Sequence, residues 1–595
     1  MPTAENQLPI AAQSRLETRA AGWKFWGVIA LLLAIHAGLA LDAARRLSVT
    51  HDEYWHLPVG LLIYRTGRFD FDNINPPLAR LWSALPLALS GSAAGDQQGA
   101  HDAFGYGDAF LRAHPEDYDR QFLLGRVMTV LLSVVTGIWL AAWSRELFGT
   151  RGGILTAALW AFCPNALANA GLVTPDAALT CAFIVTLHAS WKFARQPTWR
   201  WGAWLGFCLG ASQLVKFTAL LLLPLVVVAW GSIRWLRKSD TVILPVHFAK
   251  GTALWVMVLT ISLFTLNAGY LFRGTGDAIA SQSFVSRSLS WFNTAPGWVR
   301  RLPVPIPRDF LVGLDHQRQI MEGEHPVYLD GEWRTTGFPL YYFYALAYKT
   351  SHNVQLLLVL ALFAWLIPGR SSAPYPEALV WLSSIGLLLG VASTSGMQLG
   401  LRYILPVLPL LYLLAGQLPN WFTGKSGLFV RLLQGIAILA VVSLPLSVRI
   451  HPEFLAYFNE LSGGVIEGRQ HLLDSNLDWG QDLRALRDHL RTEKIDKIGL
   501  AYFGMVPPRE YGIAYDLPPG HQPQPGRYAI SANFVQGRPH TIRDPEGKIR
   551  SAGLDEFGYF RFFKPKVRIG ASIDIYEISL ADVQRFYIER QRLLP

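Results

Sequence analysis

Charge is scarce in this sequence: only 16% of its 595 residues are Asp, Glu, Lys or Arg, against roughly 25% in an average soluble domain. A chain so short of charge cannot cover a large surface with groups that water solvates, so much of that surface must face lipid. Cysteine is scarce too. Cys163, Cys181 and Cys208 all sit inside apolar blocks without CxxC spacing, which excludes a disulfide framework and a metal knuckle and leaves them as packing residues. There is no repeat of solenoid period and no low-complexity tract. The net charge of +10 is spread as ones and twos at the ends of apolar blocks and forms no basic stripe interleaved with aromatics, which argues against nucleic acid as a partner.

What the sequence does have is apolar blocks. After a polar tail, residues 1–24, carrying Arg15, Arg19 and Lys24, the first block runs from Phe25 to Leu41. It reads as an uncleaved helix, a signal peptide with Ala37, Gly38 and Ala40 near its cleavage site being the alternative. Further blocks follow at 123–143, 154–170, 177–193, 201–214, 217–235, 252–270, 353–367, 378–392, 404–418 and 428–448, giving about eleven spans. Alternate loops collect the cations: Arg145 and Arg151; Lys192, Arg195 and Arg200; Arg234, Arg237 and Lys238; Arg370; Lys425 and Arg431. These loops are expected to be cytoplasmic, with the N-terminus inside and the chain in the inner (plasma) membrane; Arg45 and Arg46 oppose this but are outnumbered. The expected architecture is an all-α polytopic membrane bundle over residues 25–448.

Two outer loops, 42–122 and 271–352, are too long to be plain connectors. Glu53–Tyr64, Leu78–Leu89 and Phe338–Tyr348 are apolar enough to lie along the interface as short helices roofing a cavity. The remaining segment, 449–595, changes character and predicts a small extracytoplasmic α/β domain. A helix is expected over Asp474–Leu490 with Ser475 and Asp478 as a capping-box-like start and Trp479, Leu483, Leu486 and Leu490 on one buried face. Strands are expected at Lys497–Phe503, Arg527–Phe534 and Val567–Ile578.

The stretch His51-Asp52-Glu53-Tyr54-Trp55-His56 carries the first chemical signal, just beyond the outer end of the first helix. A carboxylate beside an apolar roof loses hydration and its pKa tends to rise, which suits a general base that removes a proton from a hydroxyl or amine. The alternative is an acidic pair stabilised at a helix N-terminus. Arg402, Arg126 and Lys216 each fall near an outer helix end, where a cation in apolar surroundings calls for an anion such as a phosphodiester. Snorkelling to lipid headgroups is the alternative for all three. Asp176 follows Pro175 at a helix start and can cap it. His51 and His56 beside Asp52 lack HExxH or comparable spacing, so no metal site is assigned and any divalent metal is doubtful.

About twenty residues on, Asn73-Ile74-Asn75-Pro76-Pro77-Leu78-Ala79-Arg80 follows in the same loop. Thr174-Pro175-Asp176, Leu214-Val215-Lys216-Phe217-Thr218-Ala219-Leu220 and Leu401-Arg402-Tyr403-Ile404-Leu405-Pro406 come later. In this order and placement the chain resembles the C-type glycosyltransferases. The nearest branch is family thirty-nine, which holds protein O-mannosyltransferases and lipid A aminoarabinose transferases, and the resemblance spans nearly the whole membrane region. It implies a polyprenyl-phosphate sugar donor and inverting transfer to a protein, lipid or glycan acceptor. It also implies Asp52 as the base or acceptor-orienting residue with Glu53 in support. Arg126 and the Arg402-Tyr403 pair would be functional, as donor-phosphate and substrate binders together with Lys216, Asp176, Asn75 and His56. Asn75 stands where relatives often carry His, Lys or Glu before the Pro-Pro turn, which removes a charge or possible metal ligand. A secondary transporter and a polysaccharide-export component without transferase activity are the rival readings; the absence of paired halves and the clustering of charges at one face count against the transporter.

Overall fold

The structure, a computed structural model, describes residues 10–96, 102–236, 247–366, 375–424 and 426–593. Arg237, Lys238, Arg370 and Lys425 lie outside the described residues. Among the described residues seven helices are long and apolar enough to cross a membrane: Gly22–Arg46, Tyr118–Ala161, Pro175–Arg195, Phe217–Leu236, Phe248–Gly269, Pro376–Ser393 and Leu428–Val448. The other expected spans coincide with shorter helical pieces. One is the far half of Tyr118–Ala161 continued by Pro164–Ala170; the rest are Trp199–Gln213, His352–Leu366 and Val407–Ala415. Outward faces carry Phe264, Leu428, Phe429, Leu439 and Val442, all more than half exposed; only hydrocarbon makes that arrangement stable.

In chain order, α1 (Ile10–Arg46) begins inside the expected tail and α2 (Glu53–Thr66) follows directly. Then come α3 (Leu78–Leu89), α4 (Ala103–Ala113), which the pattern of the loop did not reveal, and α5 (Tyr118–Ala161). α5 is two helices joined at Gly149, whose φ of 77° and ψ of −175° end the first and turn the chain back; a residue with Cβ is strained there. α6 (Pro164–Ala170), α7 (Pro175–Arg195), α8 (Trp199–Gln213), α9 (Leu222–Leu236) and α10 (Phe248–Gly269) complete the first part of the bundle. α1 packs on α5, α7 on α5, α8 and α9, and α8 on α10.

The α8–α10 contact depends on two glycines one turn apart. A Cβ on Gly206 would meet the Val258 carbonyl oxygen at 2.7 Å, and one on Gly210 the Ser262 carbonyl oxygen at 2.5 Å. This is the small-xxx-small route to close helix approach in lipid. Gly210→Leu is therefore expected to separate the two helices at a cost of about 1–3 kcal/mol, read as a lowered unfolding temperature of the purified protein in detergent.

α2 is more deeply set than an interfacial helix: every residue from Glu53 to Ile63 is buried, against α3, α4 and α5. Loop 271–352 adds elements the sequence pattern did not show, among them the helix Arg308–Met321 and the hairpin Val327–Leu329 with Glu332–Arg334. The expected roof helix appears at Tyr341–Lys349.

The C-terminal segment contains a five-stranded sheet in the order Tyr515–Asp516, Ile498–Ala501, Gly526–Ser531, Ile573–Ile578 and Val567–Ile569. The first three strands are parallel neighbours and the last two antiparallel. The run Val567–Ile578 is thus a hairpin and not one strand. The helix expected over Asp474–Leu490 begins only at Leu483; residues 474–476 form a 3-10 turn and 477–482 a loop. Leu483, Leu486 and Leu490 do form its buried stripe, while Trp479 lies before the helix and faces elsewhere. A separate hairpin pairs His540–Arg543 with Ile549–Ala552.

Candidate functional site

The linker between α1 and α2 is held by a salt bridge between Glu53, the first residue of α2, and Arg126 of α5. Glu53 and Arg126 side chains are 0% and 3% exposed, with Arg126 Nη2 2.6 Å from Glu53 Oε2. Arg126 donates to Glu53 through Nε and Nη2, to the carbonyls of Ala44 and Leu47 through Nη1, and to Ser48 O through Nη2. Those are all five N–H groups a guanidinium has. Glu53 in turn accepts from Thr50 N, Thr50 Oγ1 and Val173 N. The expectation that Arg126 binds phosphate is not met in this arrangement, because no donor is left. Glu53 likewise faces its partners and not a chamber. The pair ties the end of α1 to α5 and the start of α7, and so presents the residue before Glu53.

Asp52 is that residue. Arg402 Nη1 donates to its Oδ2 at 2.7 Å, and His51 Nδ1 lies 3.1 Å from its Oδ1. Burial by itself pushes the Asp52 carboxyl up, but the Arg402 charge and the His51 hydrogen bond override it and hold the group well below the usual carboxylate range. The sequence reading expected the opposite direction. Desolvation is present as expected; the cation that outweighs it comes from 350 positions away. Carboxylate and cation therefore touch.

Arg402 sits in the 3-10 turn Leu401–Ile404, with its guanidinium over the Trp479 ring at 4.3 Å and beside Tyr403 at 5.0 Å. Its Nη1 is also 3.6 Å from Asp176 Oδ2. Arg402 Nε and Asp176 Oδ2 are both buried without a hydrogen-bond partner. Lys216 donates to Asp176 Oδ1 at 2.7 Å, and its Nζ lies 4.9 Å from the Tyr403 ring. Asp176 serves these cations and caps nothing, since α7 has no side-chain cap bond. Five of the nominated residues, Asp52, Asp176, Lys216, Arg402 and Tyr403, thus form one cluster.

His56 borders it. Arg80 Nε donates to His56 Nδ1 at 2.9 Å while its other nitrogens hold Asp72, so the imidazole hydrogen resides on Nε2. Burial, then the neighbouring Arg80 charge, holds the His56 pKa well below its ordinary value. Asn75 is half-buried in the turn before Pro76. Among the described residues no group of three His, Cys, Asp or Glu side chains is arranged to hold a metal.

Three residues the sequence reading did not assign belong here. Trp479 stacks under Arg402, and Phe503 and His540 from the sheet region reach His51. A lone Trp in the polar stretch before Leu483 was the one available signal. The backbone joins the two parts, Ser48 N bonding to Gln481 O and His51 N to Trp479 O, each at 2.9 Å.

Next to the cluster opens an apolar cavity of about 350 Å³ whose walls include Leu78, Ala79, Trp82, Ala178, Ser212 and Val215. Val215 precedes Lys216, and Leu78 N bonds to Leu214 O at 2.8 Å, so the cavity adjoins the charged end. At the far end of the first helix of α5, before Gly149, Arg145 lies over Phe25 and Lys192 pairs with Glu146. Nineteen helical residues from Arg126 to Arg145 rise about 29 Å, one hydrocarbon thickness.

Residues 120–264 match the family model of the dolichyl-phosphate-mannose-protein mannosyltransferases. Over that segment the resemblance read from the sequence is borne out, and with it the class of enzyme, a membrane glycosyltransferase. No curated protein matches the chain. Among solved structures, ArnT from Cupriavidus metallidurans bound to undecaprenyl phosphate is 15% identical, over 82% of this chain and 74% of that one, with a TM-score of 0.42. The apo oligosaccharyltransferase of Archaeoglobus fulgidus is 13% identical over 71% and 56%, at 0.35. The oligosaccharyltransferase AglB from the same organism, with an inhibitory peptide and a dolichol-phosphate, is 11% identical over 89% and 74%, also at 0.35.

Proposed function

We propose that this membrane glycosyltransferase takes a sugar from a polyprenyl-phosphate carrier and transfers it, with inversion, to an acceptor at the membrane face opposite its basic loops. The observation that carries the reading is Arg402. A buried guanidinium that lies over two aromatic rings, with Nε unpartnered, is short of an acceptor, and a phosphate oxygen supplies one. Lys216 adds a second cation within the same cluster. The adjoining apolar cavity suits the lipid tail of the donor, and the family matched by residues 120–264 is named for a dolichyl-phosphate sugar.

Asp52 then accepts the hydrogen of the acceptor hydroxyl or amine. As the nucleophile bonds to the anomeric carbon, the carbon–oxygen bond to phosphate breaks, its electron pair goes to the phosphate, and the nucleophile's proton goes to Asp52. A carboxylate so strongly neutralised is a weak base while the site is empty. A bound phosphate competes for the Arg402 charge, so Asp52 regains basicity when donor is present. His56, Asn75 and Tyr403 line the sugar side as hydrogen-bonding groups. The cations Arg145, Lys192, Arg195 and Arg234 at the other end of the bundle support a cytoplasmic placement of that end, and hence an outward site. On this reading the C-terminal segment 449–595 is extracytoplasmic.

The test is turnover of a radiolabelled polyprenyl-phosphate sugar by the purified chain in lipid nanodiscs. Asp52→Asn keeps shape and the Arg402 contact yet cannot take a proton; a fall of about 10²- to 10⁴-fold is expected. Unchanged turnover in that variant sinks the assignment of Asp52, and no turnover by the parent chain sinks the donor class.

A further inference from the structure

Two imidazoles from opposite ends of the chain meet beside Asp52. His51 Nε2 and His540 Nε2 are 3.1 Å apart at a sequence separation of 489. Two ring nitrogens at that distance carry one hydrogen between them, since two bare lone pairs repel and two hydrogens collide. The other nitrogen of His51 faces Asp52 Oδ1 at 3.1 Å, where an ionised carboxylate calls for an N–H. His51 in its neutral form therefore bears its hydrogen on Nδ1, and the hydrogen between the rings belongs to His540.

The surroundings leave His51 no other polar choice. Its ring is packed against Trp55 at 5.4 Å, Phe104 at 6.3 Å and Phe503 at 5.8 Å. Phe503 also lies 4.4 Å from the His540 ring. The titratable or charged groups facing the pair are Asp52 on the His51 side and Arg538 on the His540 side, with Arg402 beyond Asp52. His540 itself opens the strand His540–Arg543, held by its hairpin partner Ile549–Ala552.

We infer that His540 is a positioning residue of the glycosyl transfer: from the C-terminal segment it donates to His51 Nε2, locks the His51 hydrogen on Nδ1, and so aims the Asp52 carboxylate at the acceptor. This rests on the reading of Asp52 given above. The sheet region thereby completes the site, because Asp52 without this lock has an oxygen facing a ring free to rotate or to change tautomer. Burial first, then the charges of His51 and Arg538, keeps the His540 ring neutral by holding its pKa well below the ordinary value, which preserves a single donor.

The experiment compares His540→Phe, which removes the donor, with His540→Gln, whose amide can donate in its place. Both are purified in nanodiscs and assayed for polyprenyl-phosphate mannose consumption. His540→Phe is expected to lower kcat about 10- to 100-fold, the size usual when the partner orienting a histidine is lost, with KM for donor unchanged. His540→Gln recovers most of kcat. In a His51→Gln background, His540→Phe adds no further loss; this cycle is repeated with His540→Ala should phenylalanine prevent folding. A His540→Phe enzyme with parent kcat, or a glutamine variant no better than phenylalanine, overturns the proposal while leaving the donor assignment intact. A parent chain that consumes no donor overturns both.

Discussion

Arg402→Lys is expected to lower consumption of a polyprenyl-phosphate sugar by about 10²-fold or more, with KM for donor rising. Lysine keeps the charge beside Asp52 and Asp176, so the cluster stays neutralised and the chain folds. It loses the planar fork, however, and with it the unpartnered Nε of a guanidinium that lies over Trp479 and Tyr403. Each charge-assisted hydrogen bond lost contributes about 1.5–3 kcal/mol, and 1.4 kcal/mol is tenfold in affinity. Guanidinium stacking on the two rings is lost as well, since an ammonium group does not reproduce it. Initial-rate kinetics with radiolabelled donor read the effect. A lysine variant that matches the parent in both kcat and KM removes Arg402 from the phosphate site.

The second large effect concerns stability. Arg126→Met leaves the Glu53 carboxylate in a site where both partners are almost fully enclosed, and Glu53→Gln leaves the guanidinium there unpaired. Breaking a buried ion pair from one side costs about 3–5 kcal/mol. The double substitution Glu53→Gln with Arg126→Met strands no charge and is expected to be less damaging than the two single changes added together. Temperature-dependent loss of soluble protein in detergent, followed for parent, singles and double, gives the comparison. Additive losses would mean that the two side chains act independently. Because the pair ties Ala44, Leu47, Ser48 and Val173 together, the singles also misplace Asp52, and turnover falls with stability.

Much of the architecture was legible because membrane helices are written in local sequence. Apolar blocks such as Pro175–Arg195 and Phe248–Gly269 declare themselves by length and hydropathy, whatever they pack against. The strands Ile498–Ala501 and Gly526–Ser531 overlap the strand-like runs Lys497–Phe503 and Arg527–Phe534, which are likewise local features of the sequence. α4 and the helix Arg308–Met321 were missed: in long polar loops the apolar stripe is narrow and the competing turn signals are strong. Trp479 was put on a helix face because its spacing to Leu483 fits one; the loop that carries it instead is held by backbone bonds to residues 48 and 51, which no local pattern encodes.

The sequence by itself determined that this chain builds a lipid-embedded helical bundle and that Asp52, Asp176, Lys216, Arg402 and Tyr403 stand near helix ends, because hydropathy and helix boundaries are properties of neighbouring residues. Only the tertiary structure decided which cation meets which carboxylate. Arg126 spends every donor on Glu53 and the α1 terminus, Lys216 goes to Asp176, and Arg402 crosses 350 positions to Asp52. Charge pairing in a low-dielectric interior is set by distances of a few ångströms, and those distances come into being when the chain is packed.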